Sequence, residues 1–144
     1  TASEVMNLAK AKNYQIIYID YIQLLKAENP RATRYEQVSQ TSRELKRMAI
    51  SLNVPVVCLC QLSRKIEDRQ DKKPQLSDLR DSGAIEQDAD GVLFLYREDY
   101  YTGPSTKGAP SGVTLTVAKN RHGRTGEDSF RFWLDTGTFR ETPA

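Results

Sequence analysis

Apolar positions along the chain follow two periods, one helical and one of strands. Val5, Leu8 and Ala9 share a face at helical spacing between Ala2 and Lys12, and Thr1 with Glu4 forms the S/T-x-x-E pattern of a capped N-terminus. A helix is therefore expected over residues 2–12. QIIYID is a short, β-rich apolar run that closes on an acid, which predicts a buried strand. A polar turn, KAENPRAT, follows the intervening YIQLL. From Arg34 to Leu52, the positions Tyr35, Val38, Ser42, Leu45, Ala49 and Leu52 recur three and four apart, the stripe of a long amphipathic helix. Asn53 and Pro55 end it, and VPVVCLC is a second apolar strand. Strand, helix, strand with unbroken apolar strands is the pattern of a parallel sheet with both faces covered.

The next stretch, QLSRKIEDRQDKKPQLSDLRDSGAIEQDAD, is too charged for a core, with short helices expected after Ser63, Ser77 and Gly83. GVLFLYR predicts a third buried strand and EDYYTGPSTKGAPSG a loop. VTLTVAK and DSFRFWL alternate apolar and polar on either side of NRHGRTG, the pattern of an antiparallel hairpin. No repeat is visible, and the fold expected over residues 1–144 is a single α/β unit, mostly parallel, ending in that hairpin.

A length of 144 residues suffices for a core without disulfides or a structural metal. With 38% apolar and 28% charged residues, the composition excludes disordered and fibrous classes. No run approaches the ~20 apolar residues of a membrane span, and TASEVMNLAKAK lacks the features of a signal peptide. A net charge of +2 leaves recognition of any polyanion to local patches. Cys58 and Cys60 fall on one face of a strand, too close in sequence for an unstrained bridge, and the single histidine, His122, is remote. Buried, reduced thiols and a cytoplasmic setting are expected.

Several residues carry chemistry at these positions. Asp20 closes the first strand, where open α/β sheets bind ligands, and fits either an acid for a metal-bound phosphate or a loop or N-cap acid. Gln61 follows the second strand in the same way: its amide suits contact with a terminal phosphate or attacking water, and equally a plain loop. Lys119, Arg121 and Arg124 cluster with Asn120, Gly123 and Gly126 at the hairpin tip, either as a stiff cationic probe for phosphate oxygens or as a solvated turn. Arg64, Lys65, Arg69, Lys72, Lys73 and Arg80 are interspersed with acids, so they form a weak nucleic-acid patch. Tyr96, Tyr100 and Tyr101 suit strand-end packing better than base stacking. Gly103 to Gly108, GPSTKG, has phosphate-loop spacing but is followed by Ala109 and Pro110 where Lys and Ser or Thr are required, so it is no phosphate loop.

IIYIDYIQLL, then CLCQLSRKIEDRQDKKPQLSDLRDSGAIEQDADGVLFLYREDYY, then VAKNRHGRTG, in that order, closely resemble the C-terminal domain of DnaB-family replicative DNA helicases. The resemblance spans nearly the whole chain and implies a RecA-like P-loop NTPase core that forms a homo-hexamer around single-stranded DNA, with ATP and Mg²⁺ at subunit interfaces. It implies that Asp20 is the Walker B acid holding Mg²⁺ through water and that Gln61 senses the γ-phosphate. Lys119 and Arg121 match cations that reach a neighbouring subunit's ATP, Arg121 as arginine finger. Arg80, Asp81 and Gly83 of LRDSG match a loop that grips the DNA backbone, with Asp81 standing where family members commonly carry Glu. Primase and a helicase loader are the partners implied. The family's phosphate loop and catalytic glutamate precede the Walker B strand, and neither is found in these 144 residues. The chain is thus expected to be the second part of the domain and silent in ATP hydrolysis by itself. The alternatives are an ATPase-dead binding module and another RecA-like ATPase.

Overall fold

The computed structural model describes residues 1–103 and 108–142; the side chains of residues 80–83 fall outside that description. Two compact units are formed, Thr1–Asp68 with Leu76–Ala89, and Arg69–Gln75 with Asp90–Ala144.

In the first unit, helix α1 (Ala2–Lys12) starts at a complete Thr1–Glu4 capping box and ends at Asn13 in the left-handed conformation. Strand β1 (Ile17–Ile19) leads through a 3₁₀ turn (Ile22–Leu24) to helix α2 (Arg34–Leu52). Helix α2 begins at the capping box of Thr33 and Glu36 and stops at left-handed Asn53, a residue whose short amide side chain tolerates φ of 51°. Strand β2 (Val56–Cys58) pairs parallel with β1, matching Ile17 to Val56 and Ile19 to Cys58. Ala2 and Ala9 of α1 and Val38, Leu45 and Met48 of α2 pack with Ile17, Ile19 and Ile22 in one core. Both helices thus cover the same face of the β1–β2 pair.

Three expectations are corrected here. The parallel pair is not covered on both faces: Tyr18, pointing opposite to Ile17 and Ile19, is 71% exposed, and Val57 and Leu59 are also exposed. Leu8 is 54% exposed because the inward stripe of α1 runs Ala2, Val5, Met6, Ala9, and Leu8 sits about 100° round the helix from Ala9. On α2, Tyr35 is solvent-exposed while Ser39, Thr41 and Met48 are buried. Thr41 can be buried there because its hydroxyl donates to the Gln37 carbonyl at 2.9 Å, and Ser42 because its hydroxyl donates to Asp88 at 2.8 Å. The charged stretch after β2 folds as 3₁₀ turns (Arg64–Asp68 and Leu76–Ser82) and helix α3 (Gly83–Asp88), as expected from its polarity and turn residues.

The second unit is a four-stranded antiparallel sheet in the order β3 (Gly91–Arg97), β4 (Ser111–Asn120), β5 (Gly126–Trp133), β6 (Thr138–Glu141). It extends the expected hairpin by one strand on each side. Strand β3 pairs antiparallel with β4 and buries only Val92 and Phe94, leaving Leu93 and Leu95 exposed, so it is half-buried and not enclosed. The expected loop after β3 contains a helical turn, α4 (Asp99–Thr102). Tyr101 stacks on Tyr96 at 6.2 Å and meets Tyr100 edge-on at 5.1 Å, which is strand-end packing. Residues 104–107, inside the GPSTKG segment, lie outside the described residues. No described helix is long and apolar enough to cross a membrane.

Candidate functional site

The β1–β2 ladder determines where Asp20 and Gln61 emerge. Beyond the three strand pairs, the Leu59 N–H donates to the Ile19 carbonyl and the Ile22 N–H to the Leu59 carbonyl, both at 2.9 Å. Asp20, directly after β1, and Gln61, shortly after β2, therefore leave at the same carboxyl-end edge, and both are exposed. The Asp20–Tyr21 peptide bond is cis.

Gln23, in the 3₁₀ turn after Asp20, fastens this edge. Its Nε2 donates to the Gln61 carbonyl at 3.1 Å and to Cys60 Sγ at 3.3 Å, and its Oε1 accepts the Gln61 N–H at 3.3 Å. The carbonyl of Gln23 in turn accepts a hydrogen bond from the Arg34 guanidinium at the start of α2. Cys58 and Cys60 are free and half-buried. Burial, aided by the neighbouring Cys60 thiol, pushes the Cys58 thiol up to about 11. Burial also raises the Cys60 thiol, against the lowering effect of the Gln23 hydrogen bond. Neither is an activated nucleophile.

A single exposed carboxylate such as Asp20 suits Mg²⁺ held through water, since that ion keeps several of its own waters. Among the described residues no three His, Cys, Asp or Glu side chains gather into a cage for a dehydrated metal ion.

The hairpin tip is organised locally. Between Val92 and Leu93 the β3–β4 register slips, leaving Ala118 as the extra residue of a bulge next to Lys119. Arg121, in the turn, donates its backbone N–H to the Asp90 carbonyl at 2.8 Å, and its Nε lies 3.6 Å from the Asp90 carboxylate. The Asn120 side chain spans the tip, donating to the Arg124 carbonyl at 3.2 Å and accepting the His122 N–H at 3.3 Å. A Cβ on Gly123 would lie 2.6 Å from Asn120 Nδ2, so any larger residue there would displace the Asn120 amide.

Asp20 and Gln61 thus belong to the first unit, and Lys119 and Arg121 to the second. Arg80 and Asp81 fall in the second 3₁₀ turn after β2, and Gly83 opens α3; their side chains lie outside the described residues.

The family model for the DnaB-like helicase C terminal domain matches residues 2–141. The chain belongs to this family. Among DnaB-like relatives, it is 46% identical over 136 residues to a probable plasmid replicative DNA helicase of Chlamydia psittaci, covering 94% of this chain and 29% of that protein. It is 48% identical over 125 residues to the replicative DNA helicase DnaC of Bacillus subtilis, covering 86% of this chain and 27% of that one. The chain therefore spans under a third of the length of either relative. A solved ATPase domain superposes with a TM-score of 0.89 at 41% identity, over 99% of this chain and 52% of that one. A DnaB-like replicative helicase, described with its interactions with primase, superposes at 0.82 with 46% identity, over 94% of this chain and 34% of that one. The fold is that of the RecA-like ATPase domains.

Gln23, Asp90 and the Ala118 bulge escaped the sequence reading. Gln23 carried one signal, as an amide within the otherwise aliphatic or aromatic YIQLL run that follows Asp20. Asp90 carried none, because its pairing with Arg121 depends on the β3–β4 register.

Proposed function

We propose that residues 1–144 form the C-terminal portion of the ATPase domain of an ATP-dependent replicative DNA helicase, which translocates on single-stranded DNA and unwinds duplex at the replication fork. The observation that carries this reading is the family match over residues 2–141. In the intact helicase, Asp20 holds Mg²⁺ through water, and Gln61 contacts the terminal phosphate or the attacking water from the adjoining position. An ion held there would supply positive charge to offset the charge of the bound phosphates. Lys119 and Arg121 act across a subunit boundary in a homo-hexamer, where a guanidinium stabilises the phosphates of a neighbour. Arg80, Asp81 and Gly83 hold the backbone of single-stranded DNA, with primase and a helicase loader as partners. Lacking a phosphate-loop sequence, the 144 residues alone do not hydrolyse ATP.

Mixed rings test the trans assignment. Arg121→Ala in the intact helicase should abolish hydrolysis and spare ATP binding, and mixing it with Asp20→Ala subunits should restore part of the activity. Mixtures that stay inactive at every ratio would refute the assignment. ATP turnover by the 144-residue chain, abolished by Asp20→Ala, would refute its dependence on the rest of the domain.

A further inference from the structure

We infer that Gln23 is a positioning residue for Gln61, its side-chain amide completing the β2 edge where the backbone ladder stops. This inference rests on the helicase reading for its functional consequence and on geometry alone for the contact.

Regular pairing between the two chain segments ends where the Ile22 N–H reaches the Leu59 carbonyl, because the chain after Tyr21 turns into the 3₁₀ helix. Two positions further along, Gln61 still presents a backbone N–H and a carbonyl. Gln23 meets both, accepting the first with Oε1 and donating to the second with Nε2. One primary amide paired to both polar groups of one residue reproduces what a neighbouring strand would offer, and it needs a donor and an acceptor on the same side chain. The third contact, from Nε2 to Cys60 Sγ at 3.3 Å, fixes the residue before Gln61 as well. Gln23 is itself half-buried, and its carbonyl is held by Arg34. The clasp therefore joins three elements: the turn after Asp20, the end of β2 and the first turn of α2. A displacement of either strand end is transmitted to the other through one amide. An exposed residue such as Gln61 has little packing of its own to fix its backbone, so this contact sets its position relative to Asp20.

Gln23→Met removes donor and acceptor at nearly constant length, and Gln23→Asn keeps the amide but withdraws it by one methylene. In the 144-residue chain, hydrogen exchange at the Gln61 amide should quicken about tenfold in Gln23→Met, the size of one lost net hydrogen bond. The amides of β1 and β2 should keep their wild-type rates. In the intact helicase, both variants should lose kcat for ATP hydrolysis at least about tenfold with KM for ATP little changed, as expected for a misplaced group in the reacting geometry. Unchanged exchange at Gln61 would overturn the clasp. Wild-type kcat in both variants would overturn the positioning role, and so would failure of both variants to fold, which would make Gln23 a purely structural residue. If the wild-type intact helicase hydrolyses no ATP, the functional reading fails, while the exchange measurement still decides the contact.

Discussion

The hairpin tip offers a coupling that can be worked out in advance. Asn120 makes two hydrogen bonds across the tip, to Arg124 and from His122. Net worth is about 0.5–1.5 kcal/mol for each such bond, and an exposed tip places them in the lower half of that range, about 1–2 kcal/mol together. Asn120→Ala should therefore destabilise local closure of the tip by that amount. Gly123→Ala acts on the same amide, because the new Cβ would stand 2.6 Å from Asn120 Nδ2. Gly123 is not among the glycines with positive φ, so alanine meets no backbone strain there. It regains about 0.5 kcal/mol by restricting the unfolded chain, which leaves a net cost of about 0.5–1.5 kcal/mol. In the double variant the amide is already gone, so its displacement costs nothing further. The double variant should cost about 0.5–1.5 kcal/mol, below Asn120→Ala alone, giving a coupling energy of about 1–2 kcal/mol. Hydrogen exchange at the Arg121 and His122 amides reads this local opening directly. Strictly additive effects in that cycle would refute the proposed contact between Gly123 and the Asn120 amide.

Two further outcomes follow from the cap and the thiols. Thr33→Ala should cost about 1 kcal/mol in denaturant unfolding, the usual worth of an N-cap. The Thr33 hydroxyl and backbone N–H hold the Glu36 carboxyl below its ordinary value of 4.5, so the carboxyl's share of the cap is present above that value and fades as pH falls through the lowered one. The deficit of Thr33→Ala should accordingly shrink in acid without vanishing, because the Thr33 hydroxyl still accepts the Glu36 N–H there, as followed by circular dichroism. For Cys58 the sign is opposite in pH: the unfolded thiol ionises near 9.0 and the folded one near 11, so stability should fall as pH rises between them. Replacing Cys58 and Cys60 by Ala should flatten that decline in alkaline melts.

Helices and their ends were legible because their signals are local. The bounds expected for α2, Arg34 to Leu52, match those observed, since the cap at Thr33, the three-and-four spacing and Asn53 are all contained in that segment. Strand enclosure was not legible. IIYI and VLFL are apolar at every position, and such runs suit a strand buried on both faces or on one; here Tyr18, Leu93 and Leu95 are exposed. Strand β6 was missed because TFRE is short and exposed throughout, although Gly137, with φ of 63°, marks the turn before it. The position of Asp20 and Gln61 at one edge was expected from the strand–helix–strand pattern, because parallel neighbours must end on the same side. How that edge is fastened was not, since the Gln23 contacts join residues 38 apart in sequence.

The two clusters are supported by different means, and this decides how they respond to change. The edge with Asp20 and Gln61 stands on a ladder of only three residue pairs, too short to persist by itself. Its stability is borrowed from α2, whose Val38, Leu45 and Met48 pack against Ile17 and Ile19, and whose Arg34 holds the turn that carries Gln23. Helix α2 therefore supports this edge twice, through its apolar face and through its first turn. Cavities in the α2 core should loosen Asp20 and Gln61 even though no α2 side chain needs to touch a ligand. At the hairpin, described contacts of Arg121 and Asn120 run to Asp90, His122 and Arg124 of the second unit. A cation intended to reach another molecule gains from such a base, because its position is then set by short hydrogen-bonded segments of its own sheet.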